Sequence, residues 1–101
     1  MQKLVKLKKQ YLGDIDISNI KDLSFLFEDV DRNDFAGIEN WDTSHIEDMS
    51  FLFCRCKDFN HDIGMWNTSK VKNMESMFEE TSFNHNIGAW DTSFSDRYTH
   101  A

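Results

Sequence analysis

The sequence predicts an α/β fold, a leucine-rich-repeat-like solenoid of about three helix-turn-strand coils with short parallel strands and an N-terminal helical cap. A Trp-(Asp/Asn)-Thr-Ser motif begins at Trp41, Trp66 and Trp90, at intervals of 25 and 24 residues. A helical spacing of apolar residues follows the first two motifs, and a Phe-Asn-His-(Asp/Asn)-Ile-Gly segment precedes the second and the third. Because a fixed period of roughly 20 to 50 residues is typical of stacked repeats, this regularity outweighs local propensity.

The helices are predicted from the residues that follow each motif. The second repeat has apolar residues at spacings of three, three and one, which is one face of an α-helix. These residues are Ile46, Met49, Leu52 and Phe53. Ser44 followed three residues later by Glu47 is typical of a capping box. We therefore expect a short helix to begin at the Ser of each motif.

The strands are predicted from the segments 59–64 and 83–88, whose Asn, Asp and Gly residues favour a turn. The Ile-Gly-x-Trp stretch that ends each segment resembles a short strand, and equivalent strands should pair in parallel. Stacking then places equivalent side chains in four core columns. These are Ile15, Trp41, Trp66 and Trp90; Leu23, Met49 and Met74; Phe27, Phe53 and Phe78; and Phe35, Phe59 and Phe83.

The predicted organisation has three parts. Residues 1–14 form the helical N-terminal cap, residues 15–93 the repeat solenoid, and residues 94–101 a short C-terminal tail or incomplete cap. The basic stretch 3–9 has a second interpretation as a membrane-surface segment. Because the C-terminal cap is weak, we also consider self-association through the end near Trp90.

The motif Trp-Asp-Thr-Ser-x-Ile/Val-x-Asp/Asn-Met-x-x-Leu/Met-Phe, followed by Phe-Asn-x-Asp/Asn-Ile-Gly, resembles the repeat of BspA-type bacterial surface proteins over residues 15–93. The resemblance implies a secreted or surface protein, in some members associated with adhesion to host proteins. The sequence shows no signal peptide or lipid-attachment cysteine near its start, which favours a cytoplasmic protein or a fragment.

Composition excludes several classes of partner. Eleven basic residues against eighteen acidic ones give a net charge of −7, which repels a phosphate backbone, so no nucleic acid is expected. No apolar run reaches the roughly 18 residues needed to span a bilayer, so no membrane insertion is expected.

Neither a catalytic centre nor a cofactor site is predicted. Ser44, Ser69 and Ser93 recur once per repeat, as helix caps would. A metal site through Cys54, Cys56 and His61 is a less favoured alternative, because structural zinc usually needs four ligands.

Two further polar sets are open to a ligand interpretation. His61 and His85 occupy equivalent positions and could share one metal ion, although solvated turn residues are the simpler interpretation. Four oxygen-bearing side chains resemble a calcium site, but only one of them is a carboxylate, so we favour a ladder of Asn side chains bonded to backbone. They are Asn60, Asp62, Asn84 and Asn86.

The function predicted from these features is a non-catalytic protein-interaction or adhesion-type module. Positions that differ between repeats, such as Met65, Ala89 and Glu39-Asn40, should carry specificity. One alternative is a structural spacer within a longer array. Another is an exposed Trp column that stacks on sugars or peptides.

Overall fold

The computed structural model describes residues 11–90, and turns dominate this part of the chain. Two short 3-10 helices span Leu12–Asp14 and Ile38–Asn40. Between residues 11 and 90 there is no α-helix and no β-strand. The predicted α/β solenoid of helix-turn-strand coils is therefore wrong.

Overlapping tight turns replace the predicted helices. They form three turn segments, residues 23–30, 49–56 and 74–81. In the first, the N–H groups of Leu26, Glu28 and Val30 each donate to the carbonyl three residues earlier, at 3.2 Å. An α-helix would instead bond each N–H to the carbonyl four residues earlier. The first turn segment is thus a chain of consecutive β-turns, and the other two repeat its bonding.

The backbone conformation explains why these turns do not become a helix. Phe25 and Asp29 have φ values of 62° and 60°, in the left-handed region. The same conformation recurs at Phe51 and Arg55 in the second segment and at Ser76 and Glu80 in the third. A left-handed residue at every fourth position interrupts the right-handed α conformation. Alternate N–H groups then bond outside their own segment.

Those N–H groups join the turn segments side by side. Four N–H groups of the first segment donate to carbonyls in or just before the second segment, at 2.8 to 3.1 Å. The pairs are Leu23 with Asp48, Phe25 with Ser50, Phe27 with Leu52, and Asp29 with Cys54. The second segment bonds to the third in the same way and over the same range of distances. The pairs are Met49 with Asn73, Phe51 with Glu75, Phe53 with Met77, and Arg55 with Glu79. Isolated parallel bridges link Asp22 to Asp48 and Asp48 to Asn73, which fixes the register.

The Ile-Gly-x-Trp stretches are turns rather than the predicted strands. The Trp66 N–H donates to the Ile63 carbonyl at 3.1 Å, and the turns that end at Trp41 and Trp90 have the equivalent bond. A turn, unlike a regular strand, lets the first and fourth side chains face the same side, and both Ile63 and Trp66 are buried.

The four predicted core columns are largely confirmed, with Ile15 and Phe83 only partly buried. The rings of Phe27, Phe53 and Phe78 stack nearly parallel, with centroids 5.6 and 6.1 Å apart. Phe53 also stacks on Phe59 at 3.7 Å. Offset and parallel aromatic pairs add to the hydrophobic free energy of burial, so this column is the centre of the core.

The Trp column is internal, which makes the alternative of an exposed Trp surface wrong. Trp41, Trp66 and Trp90 are all buried, and the first two stack at 6.4 Å. Each indole N–H donates to a backbone carbonyl of the preceding part of the chain, at 2.8 to 3.2 Å: Leu12, Ile38 and Ile63. A buried indole needs such an acceptor, so these bonds fix the position of each Trp turn.

Parts of the predicted ends lie outside the described residues. Of the predicted cap, residues 11–14 are described, and they contain the 3-10 helix Leu12–Asp14. Residues 1–10, Ser93 and the predicted tail at 94–101 fall beyond this region. In the portion described, no helix combines the length and apolar character needed to cross a membrane.

Candidate interaction surfaces

Two motif serines of the described chain, Ser44 and Ser69, take part in Asx turns and do not cap helices as predicted. Asp42 Oδ1 accepts hydrogen bonds from both the N–H and the hydroxyl of Ser44, at 3.0 and 2.6 Å. Asn67 Oδ1 likewise accepts the N–H of Ser69. The Ser44 hydroxyl and N–H hold the pKa of Asp42 below its usual value. The predicted capping box of Ser44 and Glu47 is wrong, because no helix follows it.

An exposed aromatic pair lies on the outer side of the first two turn segments. The rings of Phe25 and Phe51 stack with centroids 4.8 Å apart and planes 6° apart. Phe25 is 39% exposed and Phe51 is half-buried. Ser76 occupies the equivalent position in the third segment with a similar φ of 53°. Since the fold accepts Ser there, the backbone conformation does not require an aromatic side chain.

Two rows of charged residues flank this pair. Glu47 lies between Lys21 and Lys72, because its N–H donates to the Lys21 carbonyl and its carbonyl accepts the Lys72 N–H. Arg55 occupies the position equivalent to Asp29 and Glu80, and its guanidinium forms an ion pair with Glu28 at 3.1 Å. In both rows, the middle residue therefore carries the opposite charge from the residues on either side of it.

A shallow charged groove of about 350 Å³ lies at the ends of the first two segments. It is lined by Asp29, Val30, Asp31, Arg55, Lys57 and Asp58. Its lining combines three acidic with two basic side chains. The groove therefore offers no concentrated charge of one sign for a small ligand.

The less favoured metal interpretation receives no support from the geometry of its residues. The Cys56 thiol donates to the Val30 carbonyl at 3.4 Å, and burial raises its pKa to about 12. Burial also raises the pKa of Cys54. His61 Nε2 instead contacts Glu39 Oε1 at 2.7 Å. Among residues 11–90, no group of three His, Cys, Asp or Glu side chains could hold a metal ion.

Among the described residues, the predicted ladder of Asn side chains bonded to stacked backbone is confirmed only at Asn60. Asn60 Oδ1 accepts the Asn84 N–H, and the Asn60 carbonyl contacts His85 Nε2 at 2.9 Å. Asp62 and Asn86 accept N–H groups two residues later. Their oxygens are thus used within the fold, and His61 and His85 have different partners.

The positions predicted to carry specificity differ in exposure. Met65 is 58% exposed, and Ala89 and Asn40 are exposed as well. Glu39 is engaged by His61 and by the Gly37 N–H. Bonding to its own backbone N–H, and then to His61, lowers the pKa of Glu39. Only part of this set therefore offers free side chains to a partner.

Comparison with known proteins gives one match. The family model described as "Mycoplasma protein of unknown function, DUF285" matches residues 1–100. The chain belongs to this family. No curated protein and no solved structure matches it. The family match extends beyond residues 15–93, where the sequence resembles the BspA-type repeat, and the family description names no biochemical activity.

The helical pattern read from the sequence does not predict the Phe25–Phe51 pair, although the sequence contains a signal for this pair. Both residues stand two positions after a core residue, Leu23 or Met49, and so fall off the predicted helical face. Large aromatic residues at two equivalent off-face positions, with Ser76 at the third, indicate a surface feature of the first two repeats only.

Proposed function

We propose that the protein is a non-catalytic module that binds another protein, and that the Phe25–Phe51 pair is the centre of its binding surface. The observation that carries the proposal is the stacking of the two rings at the surface, where Phe25 is exposed and Phe51 is half-buried. Aromatic side chains dominate the binding free energy at protein interfaces. A stacked pair is already ordered, so binding would lose little side-chain entropy.

The position of the pair favours function over packing. Ser76 shows that the backbone conformation does not require an aromatic side chain at this position, and neither Phe25 nor Phe51 belongs to the buried core. Charged rows on both sides supply the polar rim that protein interfaces usually have. The resemblance to BspA-type repeats is consistent with a binding role.

The test compares three forms of the protein as bait for a phage-displayed random peptide library. The forms are the wild type, the double variant F25S/F51S and the control Tyr11→Ser, which removes a different exposed aromatic side chain. Ser is chosen because Ser76 shows that the same backbone conformation accepts it. We expect peptides selected on the wild type to bind F25S/F51S at least about tenfold more weakly.

The control variant should keep the affinity of the selected peptides within about twofold, since Tyr11 lies outside the pair. An unchanged ¹H–¹⁵N spectrum for core residues shows that F25S/F51S is folded. Peptides that bind F25S/F51S as tightly as the wild type, or a failure to select any peptide above background, would overturn the proposal.

A further inference from the structure

The exposed surface of the three turn segments carries a large excess of negative charge. We define the outer face as the exposed and half-buried residues within 22–29, 48–55 and 73–80. Seven of its side chains are acidic, and Arg55 is its one basic residue. The acidic residues are Asp22, Glu28, Asp29, Asp48, Glu75, Glu79 and Glu80. The Phe25–Phe51 pair therefore lies within an acidic surface.

Backbone hydrogen bonds place carboxylate-bearing residues next to both rings. The Glu28 N–H donates to the Phe25 carbonyl at 3.2 Å, so one β-turn joins these two residues. The Phe51 N–H donates to the Glu75 carbonyl at 2.8 Å, so Glu75 lies beside Phe51 on the neighbouring segment. Glu28 is ion-paired with Arg55, whereas Glu75 is exposed. Negative charge thus lies on the C-terminal side of one ring and alongside the other.

The rings themselves favour a cation. Phe25 stacks on Phe51 and keeps 39% of its surface exposed. The face of an aromatic ring is electrostatically negative, and a planar guanidinium stacks on it well. The protein already makes this contact internally, because the Arg32 guanidinium carbon lies 5.6 Å from the centre of the Phe35 ring. Carboxylates around the outer rings add to the attraction.

We propose that the partner of the Phe25–Phe51 pair is a basic polypeptide segment. An arginine of this segment stacks on the exposed part of the pair, and further Lys or Arg side chains lie beside the carboxylates of the outer face. The inference rests on the proposed function, since it assigns the chemistry of the partner at that same surface. Complementary charge selects such a segment over a neutral or acidic one, and it disfavours a second outer face of this protein.

The first test uses the peptides that the wild-type protein selects from the random library. Those that lose affinity for F25S/F51S should carry at least about two more basic than acidic residues, with an arginine in each. Changing that arginine to Gln should weaken binding about tenfold in fluorescence anisotropy. Changing it to Lys keeps the charge but loses the planar guanidinium, so the expected loss is about threefold.

Two protein variants of equal net charge test whether the local carboxylates matter. E28Q/E75Q neutralises the residues next to the rings, whereas the control D16N/D62N neutralises two carboxylates outside the outer face. Asn is accepted at the control positions, because the equivalent Asn67 and Asn86 make the same turn bonds. We expect E28Q/E75Q to bind the basic peptides about fivefold more weakly and the control to stay within about twofold. Raising the salt from about 0.05 to about 0.5 M should reduce the difference.

The outcomes separate this inference from the proposed function. Selected peptides that depend on the Phe25–Phe51 pair but are neutral or acidic would overturn the basic partner and leave the binding surface standing. Equal affinities of folded E28Q/E75Q and D16N/D62N for the basic peptides would also overturn it, and so would an arginine that Gln replaces without loss. If no selected peptide depends on the pair, the proposed function fails and the inference fails with it.

Discussion

At the scale of single residues, the short polar side chains of the motifs act as hydrogen-bond acceptors for their own turns. Asp16, Asp22, Asp42 and Asp48 each accept the N–H of the Ser two positions later. An ionised carboxylate is the better acceptor, so the turns at Asp16 and Asp42, whose pKa values are lowered, link local backbone order to the protonation state.

This linkage predicts a loss of stability in acid. The pKa values of Asp16 and Asp42 are lowered in the folded protein, mainly by bonds from Ser18 and Ser44. As the pH falls, the unfolded chain therefore takes up protons first. The stabilisation is present above the ordinary Asp pKa and is lost as the pH falls through the lower folded value. The midpoint of urea denaturation should decrease between pH 6 and pH 3.

Ser44→Ala isolates the cause. It removes the hydroxyl that donates to Asp42 Oδ1, so the pKa of Asp42 should rise toward its ordinary value. Carbon-detected NMR titration of the Asp42 carboxyl measures this shift directly, with Asp16 in the same spectra as an internal control. An Asp42 pKa that is identical in wild type and Ser44→Ala would show that the hydroxyl has no such role.

Residue-scale reasoning could have identified these turns from the sequence. Asp or Asn two positions before Ser or Gly is an Asx-turn pattern, and it occurs at both ends of the Trp motifs. The same Ser also suits a helix cap, and the spacing of three, three and one fits consecutive β-turns as well as an α-helix. Apolar spacing therefore predicted the buried side chains correctly but not the backbone conformation.

At the scale of the element, the turn segments depend on contacts that local sequence does not specify. Phe, Asp, Arg, Ser and Glu all occupy the left-handed positions, although of these only Asp is enriched in that region. The bonds from each segment to the next offset this strain. Because those bonds join residues about 25 positions apart, single-sequence propensity could not predict the left-handed residues.

Two equivalent glycines provide a matched test of how closely neighbouring elements approach. A Cβ at Gly64 would lie 2.6 Å from the Asn86 carbonyl oxygen, which is backbone of the next turn. A Cβ at Gly88 would meet only the Asn86 side-chain oxygen, at 3.0 Å. We expect Gly64→Ala to reduce the free energy of unfolding by about 1–3 kcal/mol, because backbone has to shift.

For Gly88→Ala the expected loss is below about 0.5 kcal/mol, since the Asn86 side chain can rotate away. Urea denaturation of both variants measures the difference under identical conditions. Equal losses, or a larger loss for Gly88→Ala, would mean that contact with the Asn86 backbone does not limit residue 64.

At the scale of the whole molecule, one aromatic column joins all three turn segments. Phe53 stacks on Phe27 and Phe78 and is fully buried. Truncation of a buried Phe to Ala costs about 3–5 kcal/mol. That loss is close to the whole stability of a small domain, about 5–15 kcal/mol. Phe53→Ala should therefore be partly unfolded at 37 °C, as thermal denaturation will show.

Phe51→Ser is the matched control, because Phe51 lies two residues away on the half-exposed outer side. It should lose less than half the stability that Phe53→Ala loses. Equal losses would place the outer pair and the inner column in one packed unit. They would also weaken the argument that the outer pair is not needed for folding.

The core columns were predictable because residues of equal size recur at a fixed period. The alternating charges of neighbouring segments were not predicted, since they follow from which segment lies beside which. The self-association considered at the Trp90 end stays a prediction.

The bonds of the three indole groups have a consequence for measuring cooperativity. Each Trp joins its own turn to the part of the chain before it, so its fluorescence reports the docking of one neighbouring pair. Chains that retain a single Trp, with the other two replaced by Phe, provide three optical probes spaced along the stack. Coincident unfolding curves would indicate one all-or-none transition, whereas separated curves would give the order in which neighbouring units come apart.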